Sequence, residues 1–446
     1  MEQHLYRKQF MKYAFFGVLG TLGVSCYILA DTFFIAKGLG MRGLTALNLA
    51  IPAYNFIHGT GLMIGMGGGT RFSICRNDSN RRRIDEIFMN SVYLGLFLGV
   101  LFALAGLRFS QPLAILLGAD SETLAMTSVY LKWLCLFAPA FIMNNILLCF
   151  VRNDRSPMLS SAAMLVGSFS NIALDYIFIF PMHMGMFGAV FATGLSPVIS
   201  MAVLSRHWKK PDKTLRIIRA RFNPEIIRSN LALGFPSLIG QVASGTAMIV
   251  FNILILKIEG NVGVAAYGVI ANISLVVASV YTGVSQGIQP LISDSYGKGE
   301  SGQIQLGMKY SNITIVILSG IMYLFIFLFA DGITSVFNGE QNIQMQNLAV
   351  NGLRLYFLSS VFAGYNTAIA IFFTSTERAL PAHILSLLRA IVLLVPIAFL
   401  MSELWGMTGI WLTYPVTEVL AACAGYVIYN RKTILRKRRK DTTQRK

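Results

Sequence analysis

Residues 27–35, YILADTFFI, place an aspartate, Asp31, inside a run that is otherwise apolar from Phe10 to Ala36 apart from Lys12. A run of that length, wound as helix, crosses the hydrocarbon core of a bilayer. The rest of the chain repeats the theme. Of its 446 residues 55% are hydrophobic and only 13% charged, against roughly 25% charged in a soluble domain. Twelve apolar blocks follow one another, at about 10–36, 48–72, 87–107, 124–151, 157–180, 186–205, 230–256, 264–292, 305–330, 348–374, 382–401 and 407–430. None alternates as a membrane β-strand would. The expected fold is an all-α polytopic membrane protein of twelve transmembrane helices.

The net charge of +17 could point to nucleic acid, but its distribution excludes that. Basic residues gather in alternate loops. One side carries Arg7, Lys8 and Lys12, Arg76 and Arg81 to Arg83, Arg152 and Arg155, the run from Arg206 to Arg228, Lys298 and Lys309, Arg378, and the tail from Arg431 to Lys446. The other has Lys37, Arg42, Arg108 and Lys257. The asymmetry places both termini in the cytoplasm of a multi-pass protein of the plasma (inner) membrane. The tail reads as an anchor against anionic lipid heads. The N-terminal block is too long for a cleaved signal and reads as the first span. The five cysteines form no C-x-x-C pair, so no disulfide framework is expected. The five histidines form no H-E-x-x-H pair, which leaves no metal motif.

Only one long polar segment separates spans, 206–229, and it divides six from six. The expected organisation is a lobe at 1–205, a cytoplasmic linker at 206–229, a second lobe at 230–430 and a basic tail at 431–446. The halves are weakly alike. GLGMRGLTALNLAI (38–51) parallels IEGNVGVAAYGVIA (258–271), with Gly40 and Gly43 against Gly260 and Gly263. RNDRSPMLSSAAML (152–165) parallels TSTERALPAHILSLL (374–388) through Pro157 and Pro381. GMFGAVFAT (185–193) parallels GMTGIWLTY (406–414) through two glycines each. Parallel six-span repeats about an axis normal to the membrane are a transporter plan. No Gly-rich phosphate loop with lysine appears, so neither an enzyme nor ATP-driven transport is supported. The glycines of IGMGGGTRF (64–72) read as sites of close helix packing or bending.

An unpaired carboxylate inside a membrane helix is costly unless it is protonated, binds a cation or meets a basic partner. The first half has one other embedded acid, Asp175, in SNIALDYIFIF (170–180). Asp31 and Asp175 each lie about five residues from the outer end of an outward-running span, roughly 8 Å deep. Asn171 precedes Asp175 by one helical turn, and Thr193 on the sixth span reaches the same depth. No lysine or arginine of this half shares the layer. Two acids in low dielectric then hold one proton between them, or bind Na⁺ with the amide and hydroxyl oxygens. The second half differs: Gln241 lies in its first span, Asn366 and Tyr365 in its fourth, and Arg389 with Glu418 reads as a structural ion pair.

At these residues the chain resembles the multidrug and toxic compound extrusion family, over essentially its whole length. The resemblance rests on ADTFFI in the first span, N-x-x-x-D in the fifth and GAVFAT opening the sixth. It implies two pseudo-symmetric six-helix bundles and multidrug efflux by cation antiport. It implies coupling through the N-terminal lobe, with Asp31, Asn171, Asp175 and Thr193 as the site for H⁺ or Na⁺. A lipid-linked saccharide flippase of the same superfamily is the alternative, and it would need a basic cavity. An intramembrane aspartyl protease would need a GxGD-type glycine that both acid sites lack. Some family members bend the first span at a proline; here Gly17, Gly20 and Gly23 are the candidates for a bend. No cofactor is expected. Soft, adaptable walls for small organic cations or amphipathic drugs would come from Tyr27, Phe34, Met63, Met66, Met164, Phe169, Met248, Tyr267, Tyr281 and Gln289. The expected state is a monomer among membrane lipids.

Overall fold

In a computed structural model the chain is described over residues 2–76, 81–338 and 341–443, with side chains described to residue 430 outside those gaps. The whole of the expected basic tail, 431–446, thus lies outside the described side chains. Twelve α-helices dominate: α1 (Glu2–Cys75), α2 (Arg81–Leu116), α3 (Leu124–Leu136), α4 (Ala138–Asn153), α5 (Pro157–Ile179), α6 (Gly185–Leu204), α7 (Pro224–Gly297), α8 (Ser301–Phe337), α9 (Ile343–Tyr356), α10 (Ser360–Ser375), α11 (Ala379–Leu387) and α12 (Leu394–Thr443). These twelve helices are not the twelve spans. Eight segments among the described residues are long and apolar enough to cross a membrane, and α3 with α4 makes a ninth, bent by 48° at Phe137. Three of the nine turn sharply at one glycine, Gly40 in α1, Gly260 in α7 and Gly406 in α12. Counting each as two gives the twelve spans, in two bundles, that the sequence predicts.

The turns differ from expectation in form. The polar gaps at 37–47 and 257–263 are helical throughout except for one residue each, Gly40 (φ 68°, ψ −163°) and Gly260 (φ 62°, ψ −151°). That conformation is essentially closed to residues with a Cβ. Gly185 (φ 61°) and Gly406 (φ 56°) form a second matched pair. Arg155 (φ 58°) and Glu377 (φ 54°) form a third. This last pair sets Pro157, the first residue of α5, opposite Ala379, the first of α11. The proline-to-proline alignment was two residues off.

Contacts divide the chain into two compact units, which do not coincide with the sequence halves. One comprises Met1–Gly245, Thr282–Ser311 and Thr374–Glu377; the other comprises Thr246–Tyr281, Asn312–Phe373 and Arg378–Lys446. The first has a core around Phe72, Phe88, Phe150, Ile142 and Leu134. The second packs Phe251, Tyr267, Leu353, Phe357 and Trp411. The first unit thus includes the second arm of α7 from Thr282 onward. There Gly283 lies against Val18 and Gly287 against Tyr13 and Ala14, while Gly67 meets Asn230 on the first arm of α7. A Cβ at Gly67 would fall 1.8 Å from the Asn230 carbonyl oxygen, so only glycine permits that backbone approach.

Candidate functional site

Three helices of the first unit meet around Asp31. The first arm of α1 carries Tyr27 and Asp31 one turn apart. α5 buries a stripe through Ala163, Gly167, Asn171, Asp175 and Ile179, small below and polar in the middle. α6 presents Ala189, Thr193 and Ser196. Small residues let the helices close: Ser196 Oγ donates to the Gly167 carbonyl at 2.9 Å. Gly20 and Gly23 face Ser161, Met164, Leu165 and Ser168 of α5. The first arm of α1 is helical through Gly17, Gly20 and Gly23, so these glycines serve contact, and the break in α1 comes later, at Gly40.

Asp31, Asn171, Asp175 and Thr193 are all buried, Asn171 and Asp175 completely. The two carboxyls lie within hydrogen-bonding reach of each other. The Asn171 amide fits its neighbours with Nδ2 donating to Asp175 Oδ2 at 3.0 Å and its oxygen 3.3 Å from Thr193 N. Thr193 Oγ1 donates to the Ala189 carbonyl at 3.0 Å. Oδ1 of Asp31 and Oδ1 of Asp175 meet no donor among the described residues. None of the ion pairs among the described residues involves either acid. A buried acceptor pair of this kind requires a proton or a cation between its oxygens.

Two tyrosines complete the group without having been singled out in the sequence. Tyr130 of α3 is buried and lies near Thr193 and both acids. Tyr54, on the second arm of α1, is bonded to Tyr27 with 2.6 Å between the hydroxyls and stacks on His58 at 5.6 Å. A tyrosine within a span is apolar with one polar end that needs a partner when buried. That was the available signal, but many spans here carry one.

The expected solute-lining residues disperse. Tyr27 joins the acid layer, and Phe34 packs on Tyr176 and Phe180. Phe169 is 63% exposed, because two residues of helix turn it to the face opposite Asn171. Met164 packs beside Gly20, while Met66 is buried with its sulfur 3.8 Å from an Arg152 nitrogen. The Met63 carbonyl abuts Gly234. Gln289 is fully buried, donating to Thr70 Oγ1 at 2.9 Å and accepting from Asn153 at 3.0 Å. In the second unit Met248 is half-buried, Tyr267 packs on Phe251 and Trp411, and Tyr281 is bonded to Ser319 at 3.0 Å. That unit also holds the expected ion pair: Arg389 grips both Glu418 oxygens at 2.9–3.1 Å, and Asn366 donates to Oε2 at 2.7 Å. Arg389 sits in a π-helical turn, Leu388–Val392. Among the described residues no cluster of three or more His, Cys, Asp or Glu gathers to hold a metal.

The MatE family model matches residues 18–177 and 236–400, most of both halves and including Asp31, Asn171 and Asp175. The chain belongs to the MatE family. The resemblance read from the motifs holds, and with it the class: MatE proteins are ion-coupled membrane transporters rather than enzymes. Among curated relatives, a multidrug export protein MepA of Staphylococcus saprophyticus is 28% identical over 413 residues, 92% of this chain and 90% of the relative. MepA of Staphylococcus aureus strain MRSA252 is 27% identical over 94% of this chain and 93% of its own. Among solved structures, a MATE in complex with MaL6 shares the fold with a TM-score of 0.91 at 24% identity, covering 97% of both chains. An outward-facing multidrug resistance MATE transporter of the MOP superfamily gives 0.90 at 23%, again over 97% of both chains.

Proposed function

We propose that this MatE protein is a multidrug exporter. In this reading it moves amphipathic or cationic organic compounds out of the cell in exchange for inward H⁺ or Na⁺, at the plasma (inner) membrane with both termini cytoplasmic. The observation that carries this reading is the Asp31–Asp175 pair: two buried carboxyls, side by side, with no basic partner among the described residues. Both cannot be ionised cheaply at that separation in low dielectric. A proton taken up by the pair satisfies the contact. Na⁺ could instead be held by Oδ1 of each acid with the Asn171 and Thr193 oxygens, a set of hard oxygen ligands. Either ion neutralises the layer where α1, α5 and α6 meet, and its release re-creates repulsion there. The charge change is the local event, and two six-helix lobes, 1–205 and 230–430, are the bodies that respond. Tyr27, Tyr54 and Tyr130 link this layer to α3 and to the second arm of α1.

The opposite end of the first unit supports an alternating cycle. There Arg76 pairs with Asp294 at 2.6 Å and donates to the Asn153 carbonyl at 2.7 Å. Arg152 donates to Gln286 at 2.9 Å, and Asn153 joins Ser73, Gln289 and, through Gln289, Thr70. Read with the loop charges, this is a closed cytoplasmic end, whose opening must break a buried polar network. One charge moved through 100 mV supplies about 2.3 kcal/mol, enough to sustain a solute gradient of roughly fifty-fold. The flippase alternative asks for free basic side chains within the spans. Arg71, Arg76, Arg152 and Arg389 each face a partner, Glu377, Asp294, Gln286 and Glu418.

The test is efflux of a lipophilic cationic dye from proteoliposomes under separately imposed proton and sodium gradients. One of the two gradients should drive the dye against its own gradient. Dye movement that ignores both and follows ATP would end this reading.

A further inference from the structure

The segment between the halves is not a slack tether. After the 3₁₀ turn Ser205–Lys209 and a turn at 211–212 the chain runs without helix or strand to Asn223, and much of its inner edge is fastened. Asp154 Oδ2 accepts from Thr214 N at 2.8 Å and Leu215 N at 3.0 Å, with His207 Nε2 2.8 Å away. Lys210 reaches Ser156 at 2.9 Å. Farther on, the α2 side chains take over. Tyr93 OH accepts from Ala220 N, and Asn90 both accepts from Asn223 N at 2.8 Å and donates to the Arg221 carbonyl at 3.1 Å. Leu215 is fully buried, and Ile218 and Ala220 pack on the core.

A segment fastened along one edge must display the other. What it displays is Arg216, Arg219 and Arg221, all exposed, interleaved with Ile217 at 69% exposure and Phe222 at 66%. Arg216 and Arg81 both act on Asp85, so the strip joins the exposed arginines that open α2. Asp85 and Glu86 are the acids on that stretch of α2, and Glu86 is taken by Arg82 at 3.2 Å. Positive charge therefore dominates the patch. Its level is fixed by α2. Asn90 and Tyr93 hold residues 220–223, and the exposed apolar face of α2 begins at Leu96 and Phe97 and continues through Val100, Leu101 and Leu104. From Asn90 to Phe97 the helix rises about 10 Å. The arginines thus stand one or two turns from the hydrocarbon band, with Phe222 and Ile217 directed outward beside them.

We propose that residues 216–222 form a binding strip for anionic phospholipid, with Arg216, Arg219 and Arg221 on the headgroup phosphates and Ile217 and Phe222 seated among the upper acyl carbons. Basic residues at the edge of a span attract anionic headgroups, and apolar side chains beside them add insertion. The strip needs no particular orientation; that proposed above makes its leaflet the cytoplasmic one. Its function is to hold the linker, and through Asp154 and Asn90 the ends of α4 and α2, against the leaflet.

The experiment uses the full chain carrying Phe222→Trp in phosphatidylcholine vesicles with a minor share of brominated phosphatidylglycerol or, separately, the same share of brominated phosphatidylcholine. The quenching added by the new indole is read against the unsubstituted chain. Bromo-phosphatidylglycerol should quench it more strongly, corresponding to an enrichment of roughly tenfold beside the strip. Adding Arg216→Gln, Arg219→Gln and Arg221→Gln should reduce the two lipids to parity while dye transport in neutral lipid and the melting temperature in detergent stay unchanged. Equal quenching by both lipids in the chain with its arginines would overturn the headgroup assignment. No added quenching by either would overturn the strip altogether.

Discussion

The two halves of the chain treat the acids inside their spans in opposite ways. In the first, Asp31 and Asp175 lie side by side, and among the described residues neither is paired with a base. In the second, one acid is gripped by Arg389 and Asn366. The matched left-handed residues make the comparison position by position. Asp31 lies nine residues before Gly40, and Phe251 nine before Gly260; Thr193 lies eight after Gly185, and Tyr414 eight after Gly406. Counted from Arg155 and Glu377, Asn171 and Asp175 face Leu393 and Ile397; counted back from Gly185 and Gly406, with the π-helical turn Leu388–Val392 in between, they face Val392 and Pro396. The second half fills the acid layer with apolar and aromatic side chains. Its own charges stand elsewhere, Arg389 opposite Gly167 and Glu418 opposite Pro197, where the first half has only close helix packing. One scaffold thus carries an acid pair whose positive charge must come from outside and an acid whose positive charge is covalently built in. On the reading proposed above, the former is the one that exchanges an ion.

The comparison breaks most directly at the acids. Asp31→Asn and Asp175→Asn should each reduce gradient-driven dye efflux in proteoliposomes to the level of protein-free vesicles while the melting temperature holds or rises, since each removes a buried repulsion. Efflux that survives either change would remove the assigned role.

Glu418→Gln should show the other behaviour. It leaves the Arg389 guanidinium without its carboxylate, and breaking a buried ion pair from one side costs roughly 3–5 kcal/mol. Glu418→Gln with Arg389→Met should recover most of that loss, because the pair goes together. The double variant should still couple dye to the ion gradient. A double variant that folds and fails to couple would assign the second half a share in ion exchange and erase the contrast.

A symmetric test sharpens the scaffold side. Gly40→Ala and Gly260→Ala place a Cβ where φ and ψ exclude it, with open space around each. Each should cost about 1–3 kcal/mol through backbone strain alone, read as matching shifts in thermal unfolding. Unequal losses would show that the two turns are alike only in shape.

Much of this could be read from the residues. Asp31, Asn171, Asp175 and Thr193 came together because a helix rises by a fixed amount per residue and a membrane fixes where counting starts. Gly40 with Gly260, and Gly185 with Gly406, were legible because glycine is the residue that most readily takes a left-handed backbone, so the turns carry matching glycines in the sequence. Arg155 with Glu377 was not, since neither residue advertises a left-handed turn, and the prolines nearby drew the alignment two positions away. Tyr130 and Tyr54 were missed because depth alone does not give azimuth: a residue at the right height can face any neighbour. Phe169 turns away from Asn171 for the same reason. Gln289 was read as a solute contact, yet its partners Thr70 and Asn153 lie far away in sequence, and nothing local foretells that pairing.

The last difference between the halves is at their junction, where Asp154 holds the linker and its structural counterpart Thr376 has no charge to offer. Burial alone would raise Asp154, but the bonds from His207, Leu215 and Thr214 outweigh it and hold the carboxyl below its ordinary value. A carboxyl lowered in the folded state contributes its full stabilisation above about pH 4 and loses it as pH falls through the lowered value. The amides of Thr214 and Leu215 should therefore exchange slowly near neutrality and lose protection only as pH falls below the ordinary aspartate range, after correction for intrinsic rates. Asp154→Asn should reproduce the loss at neutral pH, at about 1–3 kcal/mol of local opening, without the whole chain unfolding. Protection that stays constant from neutrality into acid would mean that packing of Leu215 and Ile218, rather than the carboxylate, fastens the linker.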